Sequence, residues 1–301
     1  MLMTTVESYL EVRRTMGFDL RTTERLLRGF ADFAALHGDD HVRTETAVQL
    51  ASRARTILES DYRLRRVVLF ARHARAEDPQ HEVPPDGVFR YPPGRHRPHI
   101  FTPEEIQRLL SEASQLGPPG SLRPHTFAAL FALLFATGLR ISEALALRFE
   151  DIGPEGLTVR KTKFRKTRFV PLHESAQDGI RRYIARRLAS SGMGDHVFIN
   201  INGEPLRRGA VRHAFDRIRV NAGLVAPGQR GPRIHDARHT FAVRALEASP
   251  EGRDRIGQHM LALATYLGHG NVADTYLYLH ATPCLMHDIA DACGALFGGT
   301  P

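Results

Sequence analysis

The chain has 301 residues, enough for two domains with separate cores, and its 42% hydrophobic content is ordinary for a soluble protein. Its net charge of +8 favours a polyanionic partner. No charged and apolar leader opens the chain, and the longest apolar run, residues 127–139, is too short to span a bilayer, so we expect a cytoplasmic protein without a membrane segment.

Residues 4–76 predict a compact bundle of about four short helices, because apolar residues such as Leu26 and Phe30 recur at helical spacing. The N-terminal third is almost neutral, with 15 Arg against 14 acidic residues in residues 1–95. However, residues 53–75 concentrate seven of those arginines against only two acids. This basic helix pair is either a solvated face or a surface that contacts phosphates.

Residues 78–100 contain six prolines and interrupt the helical pattern, which predicts a stiff linker between two domains. The next helix has a clear start. Thr102 can cap its first turn, Pro103 suits the first helical position, and Glu105 completes a capping box.

The second domain is predicted to be mostly helical with one β insertion. Residues 157–160 and 168–172 alternate as strands do and flank a basic turn. That turn holds every lysine of the chain, Lys161, Lys163 and Lys166. Because arginine supplies every other cation, these lysines are either a solvated basic loop or a sign of chemistry that needs a cation able to lose its proton.

Four segments of the second domain carry reactive side chains. They are Ala136–Leu145 with Arg140 and Glu143, the lysine turn, His235–Ala242 with Arg238, and Leu267–His269 followed by Tyr278. Gly138 predicts a helix break just before Arg140, and Glu143 lies three residues on, where it could hold the guanidinium. His235 and Arg238 are also three residues apart, so one helical turn would present both to a common point.

These groups match what a tyrosine needs to break a phosphodiester. A phenol has a pKa of about 10, so its deprotonation at pH 7 costs roughly 4 kcal/mol and calls for a proton acceptor such as imidazole. Guanidiniums can bind the charged non-bridging oxygens of the transition state, and the departing sugar oxygen needs a proton donor. None of these steps requires a metal.

The four segments, in this order and with this interval from His269 to Tyr278, resemble the tyrosine recombinase (phage integrase) family. The resemblance covers roughly residues 100–280. Thr275–Leu279 followed by Ala281–Pro283 is similar, more narrowly, to recombinases carried by transposons, including those found in sets of three.

The resemblance implies a mainly α fold with a small β-hairpin, an α+β catalytic domain preceded by a helical, SAM-like core-binding domain. The expected boundaries are a core-binding domain over 1–77, a linker over 78–100, and a catalytic domain with a C-terminal tail over 101–301. The expected DNA contacts of the bundle and the turn are Arg53, Arg55, Arg65, Arg66, Arg72, Lys161 and Lys166.

The resemblance also implies roles for individual residues. Tyr278 would be the nucleophile that forms a 3′-phosphotyrosine link, and Arg140 and Arg238 would clamp the scissile phosphate. Lys163 would protonate the 5′-oxygen, and His235 would accept the tyrosine proton. Two supporting roles complete the set: His269 would hydrogen-bond the phosphate, and Glu143 would support the site structurally.

Several alternatives stay open. Lys161 or Lys166 could replace Lys163 as the acid, since the turn lacks the glycines that many members have there. Tyr276 and Tyr266 are rival nucleophiles, although spacing favours Tyr278. The interval from Arg238 to His269 is longer than in many members, with Ser249–Gln258 as the expected extra loop.

The implied function is site-specific recombination of double-stranded DNA through a Holliday junction, for integration, excision or transposition of a mobile element. It implies four protomers on specific DNA sites, together with sister recombinases, in the bacterial nucleoid, and neither a cofactor nor a metal. The rival functions are a type IB topoisomerase and a catalytically silent DNA-binding accessory protein.

Overall fold

The computed structural model describes residues 2–18, 20–90, 98–160, 167–190, 194–226, 229, 231–248, 253–268 and 275, without the side chains of 253–257. The chain divides into two compact units, Met1–His96 and Arg97–Pro301. No helix within the described ranges combines the length and the apolar character needed to cross a bilayer.

The first unit is a bundle of four helices, as its apolar spacing predicts. They are α1 (Leu2–Thr15), α2 (Arg21–Leu36), α3 (Thr44–Ser52) and α4 (Ile57–Glu77). Each helix turns an apolar face inward, and Leu27 and Phe30 of α2 are completely buried in the shared core. Thr56 caps the start of α4 by accepting a hydrogen bond from the backbone N–H of Glu59 at 3.2 Å.

The segment after α4 packs along this bundle. The ring of His81 accepts a hydrogen bond from the backbone N–H of Val42 at 3.0 Å, and the Glu82 carboxylate accepts one from Thr44 N at 2.8 Å. Val83 and Phe89 pack against the same core. The first part of the proline-rich segment is therefore attached to the bundle through side chains and backbone alike.

The second unit contains seven helices and one hairpin within its described residues. The helices are α5 (Pro103–Ser114), α6 (Arg123–Thr137), α7 (Ile141–Ala146), α8 (Glu174–Ala189), α9 (Arg208–Asn221), α10 (Asp236–Glu247) and α11 (Arg253–Leu267), with a short 3₁₀ turn at Phe149–Asp151. The predicted capping box of α5 is confirmed, since Thr102 and Glu105 exchange side-chain to backbone hydrogen bonds.

Helix α6 lies at the centre of the second unit, packed against α5, α7, α8 and α10. It is apolar on nearly every side, a pattern that predicts a buried helix. Leu130, Phe131 and Leu134 are buried, as expected from the sequence.

The predicted β insertion is an antiparallel hairpin of β1 (Gly156–Val159) and β2 (Arg168–Pro171). Leu157 pairs with Val170 and Val159 pairs with Arg168, so the strands begin and end within a residue of their predicted limits. This register places Arg168 at the end of the hairpin next to the lysine turn.

The expectation that Ser249–Gln258 forms an extra loop is wrong in its second half, because α11 begins at Arg253. Met260, Leu263 and Leu267 of α11 pack against buried residues of α10, and this apolar contact stabilises the helix.

Candidate active site

A sharp turn after α6 delivers Arg140. Gly138 ends the helix in the left-handed region, at φ +61°, as the sequence predicts for a glycine at this position. A Cβ atom on Gly138 would lie 2.6 Å from Cδ1 of Phe241 and 3.2 Å from Leu267, so a side chain is excluded there. The chain then places Arg140 at the position that caps α7.

Glu143 holds Arg140, as its spacing predicts. Its Oε1 accepts a hydrogen bond from Nη1 of Arg140 at 2.8 Å, and its Oε2 accepts one from the backbone N–H of Arg140 at 3.0 Å. The Glu143 side chain is only 6% exposed. Arg140 thus supplies one hydrogen bond to each carboxylate oxygen, and each oxygen of this buried group can accept at least one more.

A second arginine, Arg168, completes the pairing of Glu143. Its Nη1 and Nη2 donate to Oε1 and Oε2 of Glu143 at 3.0 and 2.8 Å, and its Nε donates to the carbonyl oxygen of Tyr266 at 2.8 Å. Burial would raise the pKa of Glu143, but the hydrogen bonds and charges of Arg168 and Arg140 lower it to about 2. Glu143 is therefore ionised throughout the physiological range.

Arg238 reaches the same region from α10. The residue is 2% exposed; its Nη1 donates to the carbonyl oxygen of Gly138 at 2.8 Å and its Nη2 to that of Leu267 at 2.7 Å. Nη2 of Arg140 donates to the carbonyl oxygen of Gly268 at 3.2 Å. The two arginines therefore converge on the C-terminal end of α11, where unpaired helix carbonyls accept hydrogen bonds from cations.

His235 immediately precedes α10, three residues before Arg238. Its ring meets that of His239 edge to face, with ring centroids 4.9 Å apart. The residue remains exposed overall, yet the protein packed around the ring desolvates it. That desolvation, followed by the charges of His239 and Arg238, lowers the pKa of His235 to about 4. The imidazole is therefore neutral at pH 7 and can accept a proton.

The start of α10 is itself fixed. The buried Asp236 accepts a hydrogen bond from the backbone N–H of Arg233 at 2.8 Å, and Thr240 accepts one from Phe101 N at 3.0 Å. These bonds limit the rotation of α10 and so fix where His235 and Arg238 lie.

Three of the expected catalytic residues fall outside the described residues: Lys163, His269 and Tyr278. The same holds for Lys161, Lys166 and the rival nucleophile Tyr276. Residues close to them in the sequence do contact the site. Arg168, which follows the lysine turn, binds Glu143, and Gly268, which directly precedes His269, binds Arg140.

The rival nucleophile Tyr266 is poorly suited to attack. Its ring stacks on that of Phe241, with centroids 5.3 Å apart, and packs against two apolar clusters. This burial raises the pKa of Tyr266 to about 12. The phenol is therefore harder to deprotonate than an ordinary tyrosine, which argues against it as the nucleophile.

The basic residues of the bundle lie on its surface. Arg53, Arg55, Arg65 and Arg72 are exposed and Arg66 is half-buried. Arg65 and Arg72 lie seven residues apart on α4, line one cleft and pair with Asp61 and Asp86 at 2.9 Å each. Arg53 stacks over the ring of Phe33 and Arg66 over that of Tyr62.

One side-chain cluster in the described residues has ligand types that suit a metal, namely His41, Asp78 and His81 of the first unit. The tautomer of His81 argues against that use. Its Nδ1 accepts the hydrogen bond from Val42 N, so in the neutral ring the proton is on Nε2 and neither nitrogen has a free lone pair. His41 and Asp78 pair with each other at 3.1 Å.

The sequence prediction missed Arg168. Its position two residues before Val170, next to the lysine turn, was a usable signal, because a strand residue bordering a reactive turn lies near the site. Its partners Glu143 and Tyr266 are distant in sequence, so no local spacing rule connects them.

The chain is similar in sequence to known proteins. The model of the phage integrase family matches residues 99–283. The Sinorhizobium fredii protein named "Putative integrase/recombinase y4rB" is 38% identical over 294 residues, which cover 94% of each chain. Tyrosine recombinase XerD of Halalkalibacterium halodurans is 32% identical over 196 residues, 64% of this chain and 60% of XerD.

A solved structure has the same fold. The Tn1549 transposon integrase, in complex with transposon right end DNA, superposes with a TM-score of 0.63 at 19% identity, over 98% of this chain and 99% of the integrase. The mainly α fold with a small hairpin is thereby confirmed. The family match over most of the second unit and the relative that spans almost the whole chain establish that this protein belongs to the phage integrase family of tyrosine recombinases.

Proposed function

We propose that the chain is a site-specific recombinase that cleaves and rejoins double-stranded DNA through a 3′-phosphotyrosine link and a Holliday junction. The observation that carries this proposal is the convergence of Arg140 and Arg238 at the end of α11, directly before His269 in the chain. Two guanidiniums at one place suit the two non-bridging oxygens of a phosphodiester. Family membership supplies the reaction class.

The proposed chemistry is a transfer between two esters. The phenolic oxygen of Tyr278 attacks the scissile phosphorus, and the bond from phosphorus to the 5′-oxygen breaks. The phenol proton passes to His235, and Lys163 gives a proton to the departing 5′-oxygen. His269 donates a hydrogen bond to the phosphate. Rejoining is the reverse reaction, so the energy of the broken ester is conserved and neither a cofactor nor a metal takes part.

The state of His235 supports its place in this scheme. With a pKa lowered to about 4, its ring is neutral at pH 7 and holds a lone pair for the phenol proton. The hydrogen bond between Thr240 and Phe101 fixes the position of α10, and His235 precedes Arg238 by one helical turn. A phosphate clamped by Arg238 would therefore lie near the His235 ring, the proposed proton acceptor.

We extend the proposal to the partners of the chain. Residues 1–77 would be a core-binding domain, joined by the 78–100 linker to a catalytic domain over 101–301. The residues that would contact DNA phosphates are Arg53, Arg55, Arg65, Arg66, Arg72, Lys161 and Lys166. Four protomers would assemble on two DNA sites in the bacterial nucleoid, together with sister recombinases, to move a mobile element. The likeness of residues 275–283 to transposon-borne recombinases supports that last role.

Covalent capture of DNA tests the reaction. Purified protein is mixed with sheared and nicked genomic DNA of its source organism, and complexes that survive detergent are sequenced. We expect fragments that share one short recombination site. Two copies of that site on one plasmid should then be exchanged by the protein, giving the deleted or inverted product.

The other outcomes of the same assay identify the rival functions. Covalent capture without a shared site, accompanied by relaxation of supercoiled plasmid, would indicate a topoisomerase. Specific binding without any covalent complex would indicate a silent accessory protein. Either result contradicts the proposed recombination.

A further inference from the structure

Arg168 joins three separate parts of the site. It begins β2, directly after the segment that bears the lysine turn, and its side chain is 12% exposed. Its forked guanidinium binds both oxygens of Glu143 on α7, and its Nε binds the carbonyl oxygen of Tyr266 near the end of α11. A Cβ atom on Gly268 would lie 2.9 Å from Nη1 of Arg168, so α11 ends tightly against this side chain.

We propose that Arg168 is a positioning residue that acts through Glu143, keeping Arg140 both correctly oriented and positively charged toward the scissile phosphate. This inference rests on the proposed function. It assigns Arg168 no contact with DNA and no role in proton transfer.

Geometry supports the orienting part of this role. Each oxygen of Glu143 accepts one hydrogen bond from Arg168 and one from Arg140. The two parallel bonds from Arg168 fix the plane of the carboxylate, because a fork-to-fork pair allows little rotation. Since that carboxylate binds Nη1 of Arg140, fixing its plane fixes the direction of the Arg140 guanidinium.

The charges of the three side chains support the other part of the role, which is to keep Arg140 positively charged toward the phosphate. Glu143 alone would neutralise Arg140 and weaken its attraction for a phosphate. Arg168 supplies a second positive charge to the same buried carboxylate, so the three groups together keep one net positive charge. Arg140 is the partly exposed member, with 26% of its side chain accessible against 12% for Arg168. The surplus charge therefore faces solvent, and in the complex the DNA, through Arg140.

The test uses the full chain and a nicked suicide substrate built on the captured recombination site. Arg168→Met should slow single-turnover covalent trapping by about a hundredfold, the loss typical of a misplaced oxyanion-stabilising group. DNA affinity should change far less. Arg181→Met on α8 removes an exposed arginine that pairs with Gln177 and Asp178, and it should trap DNA at the wild-type rate.

A second variant distinguishes charge compensation from mere support of the fold. Arg168→Met with Glu143→Gln removes the unmatched negative charge and leaves an amide oxygen for Arg140. We expect this pair to trap DNA at least about tenfold faster than Arg168→Met alone, since residues that share a network give non-additive effects. Losses that multiply would overturn the inference.

A substrate with a 5′-bridging sulfur tests the route of the effect. Sulfur leaves without protonation, so it rescues defects in the leaving-group acid only. Arg168→Met should slow cleavage of the oxygen and the sulfur substrate by the same factor. Rescue by sulfur would mean that Arg168 acts through the lysine turn, which contradicts the inference.

Two further results keep the test decisive. If Arg168→Met does not give the cooperative melting curve of the wild type, Arg168→Lys replaces it. Lysine keeps the charge but cannot bind both carboxylate oxygens, so trapping should fall between the wild-type and Met rates.

If the wild type itself traps no DNA, the proposed function fails. If the wild type traps DNA and Arg168→Met traps it equally fast, only the inference about Arg168 fails.

Discussion

Arg140 and Arg238 donate to the same carbonyl oxygen, that of Leu267, at 3.5 and 2.7 Å. The first arginine comes from the turn after α6 and the second from the first turn of α10. One helix end therefore aligns two guanidiniums that the sequence keeps far apart. The same helix end leads directly into the segment that carries His269 and Tyr278.

The turn at Gly138 should tolerate no side chain. Gly138→Ala places a Cβ atom 2.6 Å from Phe241 at a φ of +61°, so we expect a loss of roughly 1–3 kcal/mol in the free energy of unfolding. Urea unfolding measures it. The matched control is Gly179→Ala in α8, where a Cβ meets nothing within 4 Å and the change should stabilise by about 0.5–1 kcal/mol. Equal stability of the two variants would contradict the packing described around Gly138.

Glu143 should make the protein sensitive to acid. Its pKa is about 2 in the fold, against an ordinary 4.5. Because the folded value is the lower one, Glu143 contributes stability that is fully present above pH 4.5 and is lost as the pH falls toward 2. Glu143→Gln should cost about 3 kcal/mol at pH 7, since it leaves two partly buried arginines without their buried counter-ion.

The measurement for Glu143 is the free energy of unfolding at pH 7 and at pH 3.5. The difference between these values should be smaller in Glu143→Gln than in the wild type. Glu247→Gln, which changes an exposed residue in the last turn of α10, should behave like the wild type at both pH values. An unchanged pH response in Glu143→Gln would contradict the assigned ionisation.

His235 should titrate well below an ordinary histidine. Its pKa of about 4 lies under the usual 6.5, so it favours the folded state fully above pH 6.5 and progressively less as the pH falls toward 4. NMR titration should therefore find one imidazole with a midpoint near pH 4, and that signal should be absent from His235→Gln. A midpoint near 6.5 would show that the ring is better solvated than its packing against His239 implies.

Lys163 should be the only lysine of its turn whose loss is rescued by sulfur. Lys163→Ala should slow cleavage of a normal strand by about a hundredfold or more, because a general acid contributes that much, and should leave a 5′-bridging sulfur strand almost unaffected. Lys161→Ala and Lys166→Ala are matched controls from the same turn. Rescue of one of those variants, rather than of Lys163→Ala, would reassign the acid.

The local elements of this fold could be predicted from the sequence. The capping box at Thr102, the helix stop at Gly138 and the hairpin strands depend on residues within a few positions of one another. The pairing of Glu143 with Arg140 was predictable for the same reason, since three residues make one helical turn.

The rest of the site depends on contacts that spacing does not encode. Arg168 binds Glu143 and Tyr266 across the fold, so its role appears only when β2, α7 and α11 are assembled. The wrong loop expectation for the second half of Ser249–Gln258 has a similar origin. Helix α11 begins at Arg253, and the apolar contact that stabilises it is made further along the helix, with α10.

The most direct test of the account identifies the tyrosine that carries the DNA. Covalent complexes trapped on the suicide substrate are digested with protease and nuclease, and the nucleotide-bearing peptide is sequenced by mass spectrometry. We predict a nucleotide on Tyr278, and we predict that Tyr278→Phe abolishes trapping but keeps DNA binding, whereas Tyr276→Phe and Tyr266→Phe still trap DNA. A nucleotide on another residue, or undiminished trapping by Tyr278→Phe, would contradict the account.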